Sequence, residues 1–134
     1  MDRLNWFDYG IELARTASLR SEDPFVKVGC CILRPDNSIA SLGYNGAPPG
    51  IDIDWSNRDE RRKRVIHAET NALRHIKPNE ADRMFVTLMP CSDCIKNAAS
   101  YGIKRVFYVN AYELDSSAVE IAKEFRITLQ QIKK

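Results

Sequence analysis

The second half of this chain alternates short β-rich runs with helical stretches, and that alternation restricts its fold more than any other feature. RMFVTL (83–88) and KRVFYV (104–109) read as buried strands, and RITLQQI (126–132) as a shorter terminal one. Between them lie PCSDCIKNAASYG (90–102), which opens on Pro and closes on Gly as helices do, and DSSAVEIAKEF (115–125), also helical. Upstream, Leu4, Phe7, Ile11, Ala14 and Ala17 form the apolar stripe of a helix ending near Arg20, and residues 21–24 make a turn. VKVGCCIL (26–33) and SIASLGY (38–44) flank Arg-Pro-Asp-Asn as a hairpin, and VIHAETNALRHI (65–76) is helical. A helix, a hairpin and then alternating units imply one mixed sheet covered by helices on both faces. At 134 residues the expectation is a single domain spanning 1–134.

Composition narrows the function classes. A net charge of +2, from 20 basic and 18 acidic residues, gives no field suited to a nucleic-acid backbone or an anionic membrane, though a small anionic ligand fits. Asp2, Asp8 and Glu12 interrupt the apolar N-terminal residues, so no signal peptide or membrane span is expected there and a cytoplasmic location is. In that compartment thiols stay reduced, and the four cysteines read as metal ligands, catalytic groups or buried small hydrophobes.

Cys91 and Cys94 in PCSDC sit at i and i+3 on the first turn of a helix, where free N–H groups favour thiolates. That arrangement suits zinc or redox chemistry equally. The discriminator is a third ligand with a catalytic partner, and His67 and Glu69 of HAE offer both. Residues two apart on a regular helix point about 200° away from each other, so both face one pocket only if the helix begins near His67. The charged run RDERRKR before it is then loop or a separate turn, a solvated face rather than part of the same helix. His75, roughly 12 Å further along a helix, is too far to share the ion and reads as a surface helix residue. Glu69 suits a carboxylate that takes a proton from metal-activated water. H-x-E followed by P-C-x-x-C is the general signature of zinc deaminases. Cys30 and Cys31, adjacent in a strand, point to opposite faces and read as buried small hydrophobes.

HAETNAL and PCSDCIK resemble the cytidine deaminase superfamily, and RSEDP (20–24), VG (28–29) and GYNGAPPG (43–50) are similar to segments of its deoxycytidylate (dCMP) deaminase branch. The resemblance runs from about Trp6 to Val109. It implies a three-layer α/β/α sandwich with a mixed five-stranded sheet, with zinc held by His67, Cys91 and Cys94 and protons carried by Glu69. The implied reaction is hydrolysis of dCMP to dUMP and ammonia, which feeds thymidylate synthesis in pyrimidine metabolism. Asn45 matches the asparagine that reaches the nucleoside, although Asn is also a common turn residue. Arg20, Ser21 and Lys27 lie near the matching turn as candidate 5′-phosphate contacts, each of which also reads as an ordinary surface group, and Tyr112 reads as an aromatic wall or as a core residue. Some relatives carry extra Cys and His residues before HAE for a second zinc; residues 46–66 contain neither, so one zinc per chain is expected. The branch also implies hexamers regulated by dCTP and dTTP, with Gly46, Ala47 and Asp52 in the Gly/Pro-rich loop as candidate effector contacts. Rival readings are a zinc deaminase of cytidine, guanine or tRNA adenosine, a non-catalytic zinc module, and a thioredoxin-like dithiol.

Overall fold

Among the described residues, five strands form one mixed sheet in the order β2-β1-β3-β4-β5: β1 (Gly29–Leu33), β2 (Ile39–Tyr44), β3 (Arg83–Leu88), β4 (Arg105–Asn110) and β5 (Thr128–Gln131). The computed structural model describes residues 2–111 and 116–133. β1 runs antiparallel to both β2 and β3, whereas β3, β4 and β5 are parallel to one another, as crossover connections through helices require. The helices are α1 (Trp6–Ser18), α2 (Arg58–Arg64), α3 (Ala68–Leu73), α4 (Ser92–Ser100) and α5 (Ser117–Glu124). The mixed five-stranded α/β architecture expected from the alternation is present. Among the described residues, no helix is long and apolar enough to cross a membrane.

The period of two in β1 separates two cores. Cys30 and Ile32 join Ala68, Ala72, Met84, Val86, Ile95 and Ala118 on the face covered by α3, α4 and α5. Cys31 and Leu33 join Ile11, Ala14, Phe85 and Phe107 on the α1 face. The two adjacent cysteines therefore point to opposite sides of the sheet, both fully buried. Phe85 and Phe107 stack at 5.0 Å between ring centroids, and each such burial stabilises the fold by roughly 2–3 kcal/mol.

Two glycines set how closely the helices approach. A Cβ on Gly29 would lie 1.8 Å from the Ala14 carbonyl oxygen, so α1 rests directly on the backbone of β1. On the other face, a Cβ on Gly43 would lie 2.6 Å from both the Ala68 oxygen and the Ala72 nitrogen, so α3 rests on β2 in the same way. The second approach holds the start of α3 against the sheet.

Several sequence expectations need adjusting. Leu4 lies outside α1 and is 53% exposed, and Phe7 is 41% exposed; the buried face of α1 is Gly10, Ile11, Ala14 and Ala17. β1 starts at Gly29 and not at Val26, because side chains take the polar groups of residues 25–28. Asp23 Oδ1 accepts from Phe25 and Val26 N–H, while Asn45 accepts from Val28 N–H and donates to the Val26 carbonyl. RDERRKR is a helix in its own right. Asn57 caps it, Asp59 and Glu60 occupy its first turn, and four basic residues fill its last, which complements the helix dipole. It stops because Val65 is extended and Ile66 bridges to Gly46 in antiparallel fashion. A new helix then begins at Ala68 with His67 as its N-cap, which is the start expected from the spacing of HAE. His75 is exposed but lies beyond the end of α3, in a turn and not on the helix.

Candidate metal centre and active-site cavity

Helices α3 and α4 start side by side, and each begins on a metal-ligating residue type. His67 is the N-cap of α3 (φ −68°, ψ 152°) and Cys91 the N-cap of α4 (φ −74°, ψ 171°); neither side chain makes a capping hydrogen bond. Because an N-cap residue is extended, the angle between His67 and Glu69 is not the helical one, and both reach the same cavity. Cys94, one turn into α4, completes the group. His67 Nδ1 lies 3.2 Å from Cys94 Sγ and 3.7 Å from Cys91 Sγ, and the three donor atoms all lie within 4.8 Å of one another.

These distances fit a shared zinc ion. Tetrahedral zinc with ordinary Zn–N and Zn–S bonds separates nitrogen from sulfur by about 3.6 Å. Two thiols and an imidazole are also the donor set zinc prefers, and among the described residues no other group of three such side chains converges. Three protein ligands leave the fourth position for water, which is the pattern of a catalytic rather than a structural site.

The electrostatics prepare the group for a cation. The hydrogen bond from Cys94, with help from His67, holds the Cys91 thiol well below its ordinary value despite its partial burial, which favours the thiolate. Cys94 is pushed up, first by that same hydrogen bond and then by burial. The hydrogen bond to Cys91 raises the His67 imidazole above its ordinary value. Metal binding would displace these protons. Glu69 is only 4% exposed, and burial pushes its carboxyl above the ordinary range. Cys30 approaches Glu69 from the sheet closely enough for that carboxylate, after burial, to help raise its own thiol well above the usual value. It stays outside the donor group.

A cavity of about 240 Å³ opens onto this group, and its wall includes Asn45, His67, Glu69 and Cys91. Val28, Val65, Leu88 and Met89 supply apolar surface, and Asp23, Arg61 and Arg62 supply charge. Asn45 is 6% exposed and is more than a turn residue: Oδ1 accepts from Val28 N–H at 2.9 Å and Nδ2 donates to the Val26 carbonyl at 2.8 Å. Ser21 is buried behind it, with its hydroxyl donating to the Asn45 carbonyl at 2.9 Å and accepting from Asp23 N–H. Lys27 is exposed and its ammonium donates to the Ser21 carbonyl at 2.5 Å. Arg20 is exposed as well, and Arg20, Ser21 and Lys27 are not part of the cavity wall. Tyr112 lies outside the described residues.

The candidate effector residues separate. Gly46 is buried and exchanges backbone hydrogen bonds with Ile66, and Gly46 and Ala47 line a second hollow of about 180 Å³ with Arg74 and His75. Asp52 is exposed and lines neither space. Sequence reasoning missed Asp23, Arg61 and Arg62. The available signal for the arginines was their place only a few residues before His67, which the reading of RDERRKR as a solvated face passed over.

Comparison with known proteins bears on the same geometry. The family described as cytidine and deoxycytidylate deaminase zinc-binding region matches residues 4–110. Deoxycytidylate deaminase of Mus musculus is 35% identical over 134 residues, covering 91% of this chain and 74% of the mouse protein. The crystal structure of dCMP deaminase from the cyanophage S-TIM5 in apo form superposes with a TM-score of 0.78 at 25% identity, covering 98% of this chain and all of that one. The same phage enzyme in complex with dCMP and dUMP has a TM-score of 0.71 at 24% identity, covering 95% of this chain and 93% of that one, which shows likeness of fold.

Proposed function

Because this chain belongs to the cytidine and deoxycytidylate deaminase zinc-binding family, we propose that it hydrolyses dCMP to dUMP and ammonia, supplying dUMP for thymidylate synthesis. The observation that carries the reading is the convergence of His67, Cys91 and Cys94 beside a cavity lined by His67, Cys91 and the buried carboxyl of Glu69. His67, Cys91 and Cys94 would hold one zinc ion per chain, and zinc bound there supplies a Lewis acid that makes water nucleophilic near neutral pH.

The rest of the chemistry falls to the protein's own groups. Glu69 carries protons: its raised pKa lets it take one from the attacking water, place it on N3 of the ring and later deliver one to the departing amine. Water adds at C4, the C4–N4 bond breaks, and nitrogen leaves as ammonia. Asn45 uses one N–H and one lone pair to brace residues 26–28, leaving the others of its amide for the substrate's sugar or base. Val28, Leu88 and Met89 flank the ring and keep bulk water away.

The reading extends to regulation and assembly. The second hollow, with Gly46, Ala47 and the Arg74 guanidinium on its wall, supports a dCTP or dTTP effector site. Exposed Ile39, Leu42 and Tyr44 on the edge strand β2 support self-association, with a hexamer as the favoured form.

A panel of dCMP, deoxycytidine, CMP, cytidine and guanine scored for ammonia release tests the substrate. dCMP is expected to turn over fastest, and cytidine outpacing it would remove the phosphate from the reading. Glu69→Gln should keep its zinc and lose about 10²- to 10⁴-fold in kcat. Full activity in that variant would end the proposed mechanism.

A further inference from the structure

We infer that Arg61 and Arg62, in the last turn of α2, grip the 5′-phosphate of the substrate and so select a nucleotide over a nucleoside. The inference rests on the deaminase reading and deepens it. Both arginines line the cavity that contains His67, Glu69 and Cys91, whereas Arg20 and Lys27 do not. Arg62 precedes His67 by five residues, so the chain between them spans at most about 17 Å even when fully extended. The Ile66 bridge to Gly46 ties that short connection to the sheet side of the site.

Arg61 is held in place before any ligand arrives. Its guanidinium lies 4.3 Å from the centroid of the Phe25 ring, and Nη1 donates to the Trp55 carbonyl at 3.3 Å. A guanidinium has five N–H donors, so this seat leaves several for a ligand, and its ordering lowers the entropic cost of using them. Arg62 is exposed, and its side chain makes no hydrogen bond or ion pair among the described residues. The α2 ion pair uses Arg64 and Glu60 instead.

The acidic groups on the wall do not neutralise these cations by pairing. Asp23 spends Oδ1 on the Phe25 and Val26 N–H groups, and Glu69 is buried beside the donor cluster. Toward a neutral nucleoside the two arginines of the wall offer hydrogen bonds without an opposite charge to meet. Toward a phosphate they form charge-assisted, fork-shaped hydrogen bonds.

Steady-state kinetics of Arg62→Gln and of Arg61→Gln/Arg62→Gln with dCMP test the inference, alongside inhibition by inorganic phosphate and an Arg20→Gln/Lys27→Gln control. KM for dCMP should rise about tenfold for each arginine removed, with phosphate inhibition weakening in parallel and with kcat and zinc content held. Arg62 has no partner whose loss would unfold α2, so the single variant separates binding from folding. Unchanged KM and phosphate inhibition overturn the inference, as does a loss of kcat and zinc together, or a KM effect confined to the Arg20/Lys27 control. Wild-type protein that leaves dCMP untouched overturns the deaminase reading and this inference with it; dCMP turnover with KM insensitive to both arginines overturns the inference alone.

Discussion

Helices α1 and α2 begin on Asn5 and Asn57, whose side chains accept the Asp8 and Glu60 N–H groups at 2.8 and 3.1 Å. Helices α3 and α4 begin on His67 and Cys91, which cap nothing. All four N-cap residues are extended, and Asn5 (φ −74°, ψ 170°) and Cys91 (φ −74°, ψ 171°) share one backbone conformation. The difference is in the side chain's task. An N-cap residue leaves the helix in an extended conformation beside unpaired N–H groups, which suits a capping amide or a metal-ligating anion equally well. At α3 and α4 the chain forgoes caps worth roughly 0.5–2 kcal/mol each in order to aim two ligands at one point. Ser116 starts α5 without a capping bond too, yet it joins no donor group, so an empty cap alone does not mark a site.

The comparison is broken most completely by Cys91→Ser, since serine is a favoured N-cap but no thiolate. Zinc and turnover should both be lost, while the metal-free variant melts at or above metal-free wild type. Metal analysis and melting curves with and without a chelator check this. Retained zinc would remove Cys91 from the ligand set.

Asn57→Ala and Asn5→Ala sharpen the other side. Each should cost about 1 kcal/mol in urea titrations. Asn5→Ala should leave kinetics alone, because α1 packs on the face away from the cavity. Asn57→Ala frays the helix that carries Arg61 and Arg62, so KM for dCMP should also rise by a fewfold factor.

The smallest effect belongs to the scaffold alone. Glu80 accepts from Lys77 N–H and from the Arg34 guanidinium, which hold its carboxyl below the usual carboxylate range. A depressed folded pKa stabilises the fold above the unfolded pKa, and that stabilisation fades as pH falls through the folded value. Glu80→Gln should therefore lower Tm slightly near neutral pH, and the gap should close on acidification. Melting curves across that range read it, with zinc content unchanged throughout.

Local pattern made much of this molecule legible. The strands at 83–88 and 104–109 need only short apolar runs of β-branched and aromatic residues between breakers, which do not depend on what lies across the core. The helix start at His67 follows from the spacing of HAE, because residues two apart on one regular helix point away from each other and cannot share a pocket. Less legible were the residues whose role is set by a distant partner. Ser21 reads as a surface hydroxyl until Asn45, 24 residues away, closes over it. RDERRKR reads as solvated because nothing within it says that α2 turns Arg61 and Arg62 toward the cavity.

The sequence by itself determined the order of the strands and of the helices other than α2, the chemistry of the donor set and the carboxyl that stands beside it, because each rests on residue type and near-neighbour spacing. Only the tertiary structure decided which charged side chains face the cavity. That choice depends on how glycine contacts, a short bridge and side-chain braces pack segments far apart in the chain, and no local spacing encodes it.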